Sequence, residues 1–130
     1  MILAAASLGG TGAWADEPIR SLRVWPSADY TRVTLETSIA LRYQLNSVKN
    51  PERLVLDFED ADFLSMTDQV ANKVSPDDPH VANLRAGRFK PGTVRLVVDL
   101  KGEVKPQVFA LQLIGGYGHR LVIEIGRAHV

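Results

Sequence analysis

Apolar and polar residues alternate with a period of two along most of the chain. Within 53–58, Leu54, Leu56 and Phe58 share one side of an extended strand. Turn residues separate such stretches, and Pro91–Gly92 suits the two central positions of a type II turn. The pattern predicts eight β-strands at turn-punctuated spacing. They fall roughly at 19–25, 30–37, 41–46, 53–59, 81–89, 93–100, 104–112 and 119–125.

This strand pattern occurs twice, which indicates an internal duplication. The corresponding segments are 19–24 with 81–86, 30–36 with 93–99, and 53–58 with 120–125. Because no long helical period is present, we predict an all-β fold, a β-sandwich of two related four-stranded sheets. Each half of the chain contributes four strands, and a pseudo-twofold axis should relate the halves. The inward positions predicted to be equivalent are Leu54 with Leu121, Leu56 with Ile123, and Val33 with Leu96.

The segment between the halves follows a different pattern. Phe63, Met66, Val70 and Val74 recur at helical intervals, so we expect a short helix around 63–73. The prolines in 75–79 predict irregular structure after it. Residues 57–78 contain seven acids and one base, which predicts a solvated acidic connector. The regular Asp/Asn/Gly spacing of a calcium loop is absent.

The overall composition is that of an ordinary globular domain, 45% hydrophobic and 23% charged. Fifteen basic and fifteen acidic residues balance, so the charge predicts no bulk attraction to nucleic acid or to an anionic membrane. There is no cysteine, which excludes a disulfide framework and a thiolate metal site. No apolar run approaches the roughly 20 residues that span a bilayer.

Both ends of the chain differ from the strand pattern. Residues 1–15 carry no charge and end in Ala13-Trp14-Ala15, the apolar core and cleavage motif of a secretory signal peptide. The basic region that begins such a peptide is missing, so we expect an incomplete signal. Residues 125–130 break the strand pattern, and we expect a non-native tail there. The predicted domain is therefore 16–124.

The inventory of catalytic side chains is small. The three histidines, His80, His119 and His129, do not have the spacing of zinc ligands, and we expect His80 and His119 at strand margins. No glycine-rich phosphate loop leads into a helix. We therefore predict no catalytic residue and no metal site in this chain.

Outward positions on the duplicated strands offer a better case for binding. Strand parity places Arg23, Trp25 and Arg32 outward in the first half, and Arg85, Phe89 and Arg95 outward in the second. Aromatic faces beside guanidinium groups suit sugar rings and peptide carboxylates. In the alternative interpretation, the aromatic rings cap the sandwich edges and the arginines form ordinary surface ion pairs. Because the set occurs twice, we favour binding.

Three segments together carry a family resemblance: 19–36, 53–58 and 84–99. They resemble the AMIN domain, the N-terminal domain of AmiC-type N-acetylmuramoyl-L-alanine amidases. The resemblance implies a periplasmic β-sandwich that binds peptidoglycan and directs the enzyme to the division septum, with divisome proteins as further candidate partners. It also implies a following zinc-dependent amidase domain, which this chain does not reach, so no cofactor is expected in the fragment. Two alternatives stay open: an AMIN module of an outer-membrane secretin that assembles type IV pili, and a structural β-sandwich without a ligand.

Overall fold

The part of the chain that the structure describes folds into eight antiparallel β-strands and two short 3₁₀ turns. The computed structural model describes residues 19–59, 69–116 and 118–127. The strands are β1 (Ile19–Trp25), β2 (Tyr30–Thr37), β3 (Arg42–Val48), β4 (Arg53–Glu59), β5 (Val81–Lys90), β6 (Thr93–Leu100), β7 (Val104–Gln112) and β8 (His119–Arg127). The predicted all-β class and each of the eight predicted strands are confirmed.

The strands form two four-stranded sheets. The first sheet has the order β1-β2-β8-β7, and the second has the order β3-β4-β6-β5. Each half of the chain therefore gives two adjacent strands to each sheet, and the central pairings, β2 with β8 and β4 with β6, join the halves. If each strand of β1–β4 is exchanged with its counterpart in β5–β8, the strand order of the first sheet becomes that of the second sheet read in reverse. The duplication thus holds at the level of topology.

Residue register follows the same symmetry. Leu56 lies opposite Leu96 across β4 and β6, as Ile123 lies opposite Val33 across β8 and β2. All six residues of the three predicted equivalent pairs are buried, so the predicted inward parity is confirmed. The register also shifts at matching places, between Ile19 and Ser21 in β1 and between the corresponding residues of β5.

The core lies between the two sheets. It consists of the inward-facing side chains, which occupy every second position along the strands. Its inward residues come from both halves and form one continuous cluster. The cluster consists of Ile19, Leu22, Val33, Leu35, Leu54, Leu56, Phe58, Val70, Val81, Leu84, Val94, Leu96, Val98, Leu121, Ile123 and Ile125. Neither half could bury this surface alone, because each sheet needs strands from both.

The connector differs from its prediction in two respects. The described part of the expected helix, Val70–Lys73, is a single 3₁₀ turn whose Val70 joins the core; Phe63 and Met66 lie outside the described residues. The segment 75–79 is irregular, as predicted. The expectation of a solvated acidic connector is wrong for Asp78, which is fully buried, because its carboxylate accepts hydrogen bonds from groups inside the fold.

The expected break in the strand pattern at Ile125 is also wrong, because β8 continues to Arg127. Ile125 is buried in the core, and Gly126 pairs with Tyr30 of β2. A Cβ at position 126 would come within 3.1 Å of the Asp29 carbonyl oxygen, so glycine fits a close approach of two backbones there. In the β5–β6 turn, Gly92 has φ of 81°, as the predicted type II turn requires. The predicted signal peptide at 1–15 lies outside the described residues.

Candidate binding groove on the first sheet

The outer face of the first sheet carries three rows of side chains that cross its strands. The register places Trp25 beside Arg32 and Glu124 in one row. The middle row runs Arg23, Thr34, Val122, Phe109, and the third runs Ser21, Glu36, Arg120, Leu111. These positions are outward because they alternate with the core residues of the same strands. Both halves of the chain therefore build this face.

The rows line an open groove of about 710 Å³. On one side stands Trp25 of β1, 57% exposed, and on the other stand Phe109 and Leu111 of β7, 43% and 49% exposed. Their strands are the two edges of the sheet, three strand spacings or roughly 14 Å apart. The groove is thus wide enough for a sugar ring lying between aromatic side chains.

The base of the groove contains two cross-strand ion pairs. Arg32 donates to Oε2 of Glu124 from Nη2 at 2.7 Å and from Nε at 3.2 Å, and to the Tyr30 hydroxyl at 2.9 Å. Arg120 donates to Oε1 of Glu36 at 2.6 Å, and this hydrogen bond is the main reason why the pKa of Glu36 lies below its usual value. In both pairs, the guanidinium group of the arginine is engaged by a glutamate of the neighbouring strand.

Arg23 is different from the other two arginines of the groove. It is exposed and, within the described part of the chain, forms no hydrogen bond or ion pair. Its charge contributes only as a lesser cause to the lowered pKa of Glu36. Among the described residues that line the groove, Arg23 is therefore the arginine whose whole guanidinium group has no hydrogen-bond partner in the protein and can donate to a ligand.

The outer face of the second sheet holds the other three predicted residues, Arg85, Phe89 and Arg95. Arg95 donates from Nε and Nη2 to the two oxygens of Asp57 at 2.8 and 3.0 Å. The guanidinium carbon of Arg95 lies 3.6 Å from the centre of the Phe89 ring, a cation–π contact. Arg85 forms a forked pair with Asp99, with both bonds at 2.9 Å.

The structure thus brings the six predicted site residues together as two groups of three on opposite faces of the sandwich. All six point outward, as predicted. Among the described residues, all but Arg23 and Trp25 have ionic or cation–π contacts within the protein. Sequence reasoning missed Phe109, Leu111 and Arg120. The outward parity of Phe109 in β7 was the available signal, but only the pairing of β8 with β2 places it opposite Arg23.

The pair of Asp57 with Arg95 leads to a prediction about acid stability. The hydrogen bonds from Arg95 are the main cause that lowers the pKa of Asp57, and burial opposes them. A carboxyl whose pKa is lower in the folded state stabilises the fold at pH values above its unfolded pKa, about 4 for aspartate. This contribution is lost as the pH falls through the lowered folded-state pKa. We expect Asp57→Asn to give a shallower acid decline of the free energy of unfolding, measured by urea titration from neutral to acidic pH. Parallel curves for the two proteins would contradict this.

Metal-binding groups are absent from what the structure describes: residues 19–59, 69–116 and 118–127 contain no cluster of three or more His, Cys, Asp or Glu side chains that could hold an ion. His80 precedes β5 and His119 begins β8, at the strand margins as predicted. In the same ranges, no helix has the length and apolar character needed to cross a membrane.

The sequence model of the AMIN domain family matches residues 21–125. The match covers most of the chain and both halves of the duplication. The chain belongs to the AMIN domain family. The groove is therefore a feature of an AMIN domain, and the match extends through Ile125 to cover all three of its rows.

Two curated relatives have sequences similar to this chain. The chain is 44% identical over 105 residues to N-acetylmuramoyl-L-alanine amidase AmiC of Escherichia coli O6:H1 (strain CFT073). It is 47% identical over 103 residues to N-acetylmuramoyl-L-alanine amidase AmiC of Neisseria meningitidis serogroup B (strain MC58). The matches cover 81% and 79% of this chain but 25% of each relative. The chain thus spans about a quarter of the length of the relatives it matches.

Proposed function

We propose that this AMIN domain binds peptidoglycan and directs a cell-wall N-acetylmuramoyl-L-alanine amidase to its substrate in the periplasm. The proposal draws on membership of the AMIN family and on the likeness to two amidases. In the whole protein, hydrolysis belongs to a separate zinc-dependent domain, and the role of this domain is to hold that enzyme on the wall. Because both relatives are amidases, we favour this role over the secretin module or a structural sandwich without a ligand.

The observation that carries the proposal is the groove of the first sheet. Trp25 and Phe109 are exposed on opposite sides of a groove whose middle row contains the small or apolar Thr34 and Val122. Such rings stack on the apolar faces of sugars. Arg23 presents free donors that suit a carboxylate of the peptide stems. Peptidoglycan supplies both chemical groups, in alternation along a polymer.

Sedimentation with purified sacculi tests this function. We expect the chain to pellet with sacculi, and pelleting to fall as salt rises, because part of the attraction is between charges. A quadruple variant with Arg23, Arg32, Arg85 and Arg95 changed to alanine removes the predicted basic positions on both faces. We expect it to lose nearly all pelleting while circular dichroism reports a folded β-protein.

A matched control keeps the change in net charge constant. The variant with Lys49, Lys73, Lys90 and Lys101 changed to alanine also removes four positive charges. All four lysines are exposed, and none of them lines the groove. This variant should pellet like the wild type. No pelleting of the wild-type chain above a blank without sacculi would refute the proposed function. Equal loss in both quadruple variants would reduce the binding to non-specific charge.

A further inference from the structure

The duplication allows a position-by-position comparison of the two outer faces. Arg23 corresponds to Arg85 by strand register. Each lies on an edge strand next to a central strand that carries an acid, at the same position relative to that acid. By the same register, Glu36 corresponds to Asp99 and Arg120 to Arg53. The register therefore shows which side chains of the two faces occupy corresponding positions.

The acid at this position has a different partner on each face. In the second sheet, Asp99 accepts two hydrogen bonds from Arg85, while Arg53 turns away and donates to the Pro51 carbonyl at 3.3 Å. In the first sheet, Glu36 instead bonds Arg120 at 2.6 Å. Because Arg120 of β8 binds Glu36, the guanidinium of Arg23 has no ion pair in the described structure.

The aromatic side chains differ as well. The position of Trp25 is Gly87 in the second sheet, opposite Arg95, and the position of Phe109 is Asn46, opposite Val55. Phe89, the exposed aromatic residue on that face, covers the guanidinium of Arg95 at 3.6 Å. The second sheet therefore lacks the paired ring walls at these positions, and its ring is already in contact with a cation of the protein.

On the basis of the proposed peptidoglycan binding, we infer that the two faces are unequal: the first sheet alone holds the ligand, with Arg23 binding a free carboxylate of a peptide stem. Arg23 and Phe109 lie at opposite ends of one row, with Thr34 and Val122 between them. A sugar ring over Val122 contacts Phe109, and the attached acid reaches Arg23. Trp25 lies two residues from Arg23 on the same side of β1, about 7 Å along the strand, and closes the groove beside it. On the second face, the guanidinium groups of Arg85 and Arg95 are already held by Asp99 and Asp57.

The experiment compares native sacculi with sacculi whose stem carboxylates have been converted to amides by a carbodiimide and ammonia. We expect the wild-type chain to bind native sacculi at least tenfold more tightly than amidated ones, because a charge-assisted forked hydrogen bond is lost. Arg23→Gln should bind both preparations equally, at the wild-type level for amidated sacculi. Arg85→Gln, the same change at the duplicate position, should keep both wild-type affinities within about twofold. Trp25→Ala combined with Phe109→Ala should weaken binding to both preparations and keep the preference for the acid.

Each result has a definite meaning. Equal losses in Arg23→Gln and Arg85→Gln would show two equivalent faces and overturn the inference. A preference for native sacculi that survives in Arg23→Gln would place the carboxylate elsewhere and also overturn it. Wild-type pelleting without any preference would overturn the inference but leave the proposed function standing, whereas no wild-type pelleting at all would refute the function itself. Since Arg23 has no partner to lose among the described residues, a folding defect in Arg23→Gln is not expected, and thermal unfolding by circular dichroism checks this.

Discussion

Replacing Leu56 by alanine is expected to lower the free energy of unfolding by about 2–5 kcal/mol. Leu56 is fully buried in the centre of the second sheet, between Leu45 of β3 and Leu96 of β6. The change removes apolar contacts and leaves a cavity that central strands, held on both sides, cannot close. Urea unfolding followed by circular dichroism measures the loss. The duplication adds a second expectation: Ile123→Ala, at the equivalent and equally buried position of the first sheet, should cost a similar amount.

The neighbouring residue provides the control. Val55 lies on the same strand but faces outward and is only partly buried, so Val55→Ala should cost clearly less than Leu56→Ala. A loss below about 1 kcal/mol for Leu56→Ala, or a larger loss for Val55→Ala, would contradict the inward register of β4.

Asp78→Ala should destabilise the protein by about 3–5 kcal/mol, although the residue lies in a segment without regular structure. Its Oδ1 accepts hydrogen bonds from the Thr31 hydroxyl at 2.6 Å and from the backbone N–H groups of His80 and Val81, both at 2.9 Å. Thr31 belongs to the first sheet and Val81 begins a strand of the second, so one carboxylate joins both sheets. Alanine would leave three donors buried without an acceptor, and each such group costs about 1–3 kcal/mol before the structure relaxes.

Two variants separate this explanation from a general sensitivity of the connector. Asp77→Ala changes the adjacent, exposed acid and should stay within about 0.5 kcal/mol of the wild type. Asp78→Asn keeps one acceptor oxygen and should cost less than Asp78→Ala. Urea unfolding of the three variants is the measurement. Equal stability of Asp77→Ala and Asp78→Ala would mean that the Thr31–Asp78 bond contributes nothing.

The side of each strand that faces the core could be predicted from the sequence, because side-chain alternation is local. Leu54, Leu56 and Phe58 needed only a period of two, and the recurrence of the pattern at 120–125 was enough to pair each with its equivalent. The family resemblance rests on the same residues. The outward direction of Arg23, Trp25 and Arg32 followed from the same local rule. In each of these cases, the determining interaction lies within one strand.

The partner of each strand was decided by the tertiary structure. Nothing local specifies that β2, which pairs with β1 on one side, pairs with β8 rather than with β3 on the other. The pairing with β8 brings Phe109 and Arg120 into the groove with Arg23. The buried state of Asp78 was hidden for the same reason. Its segment is rich in acids and reads as solvated, whereas the hydroxyl that it binds comes from Thr31, 47 residues away.

The difference between Arg23 and Arg85 is the finest of these decisions. In sequence, both are outward arginines on corresponding strands with an acid one strand away, and they look interchangeable. The sequence determined that both arginines face outward, because that depends on parity. Which one keeps its charge available depends on competition in space: Arg120 occupies Glu36, while Arg53 bonds the Pro51 carbonyl and leaves Asp99 to Arg85. Such competition exists only after the fold has brought three charged side chains from three different strands to neighbouring positions on one face.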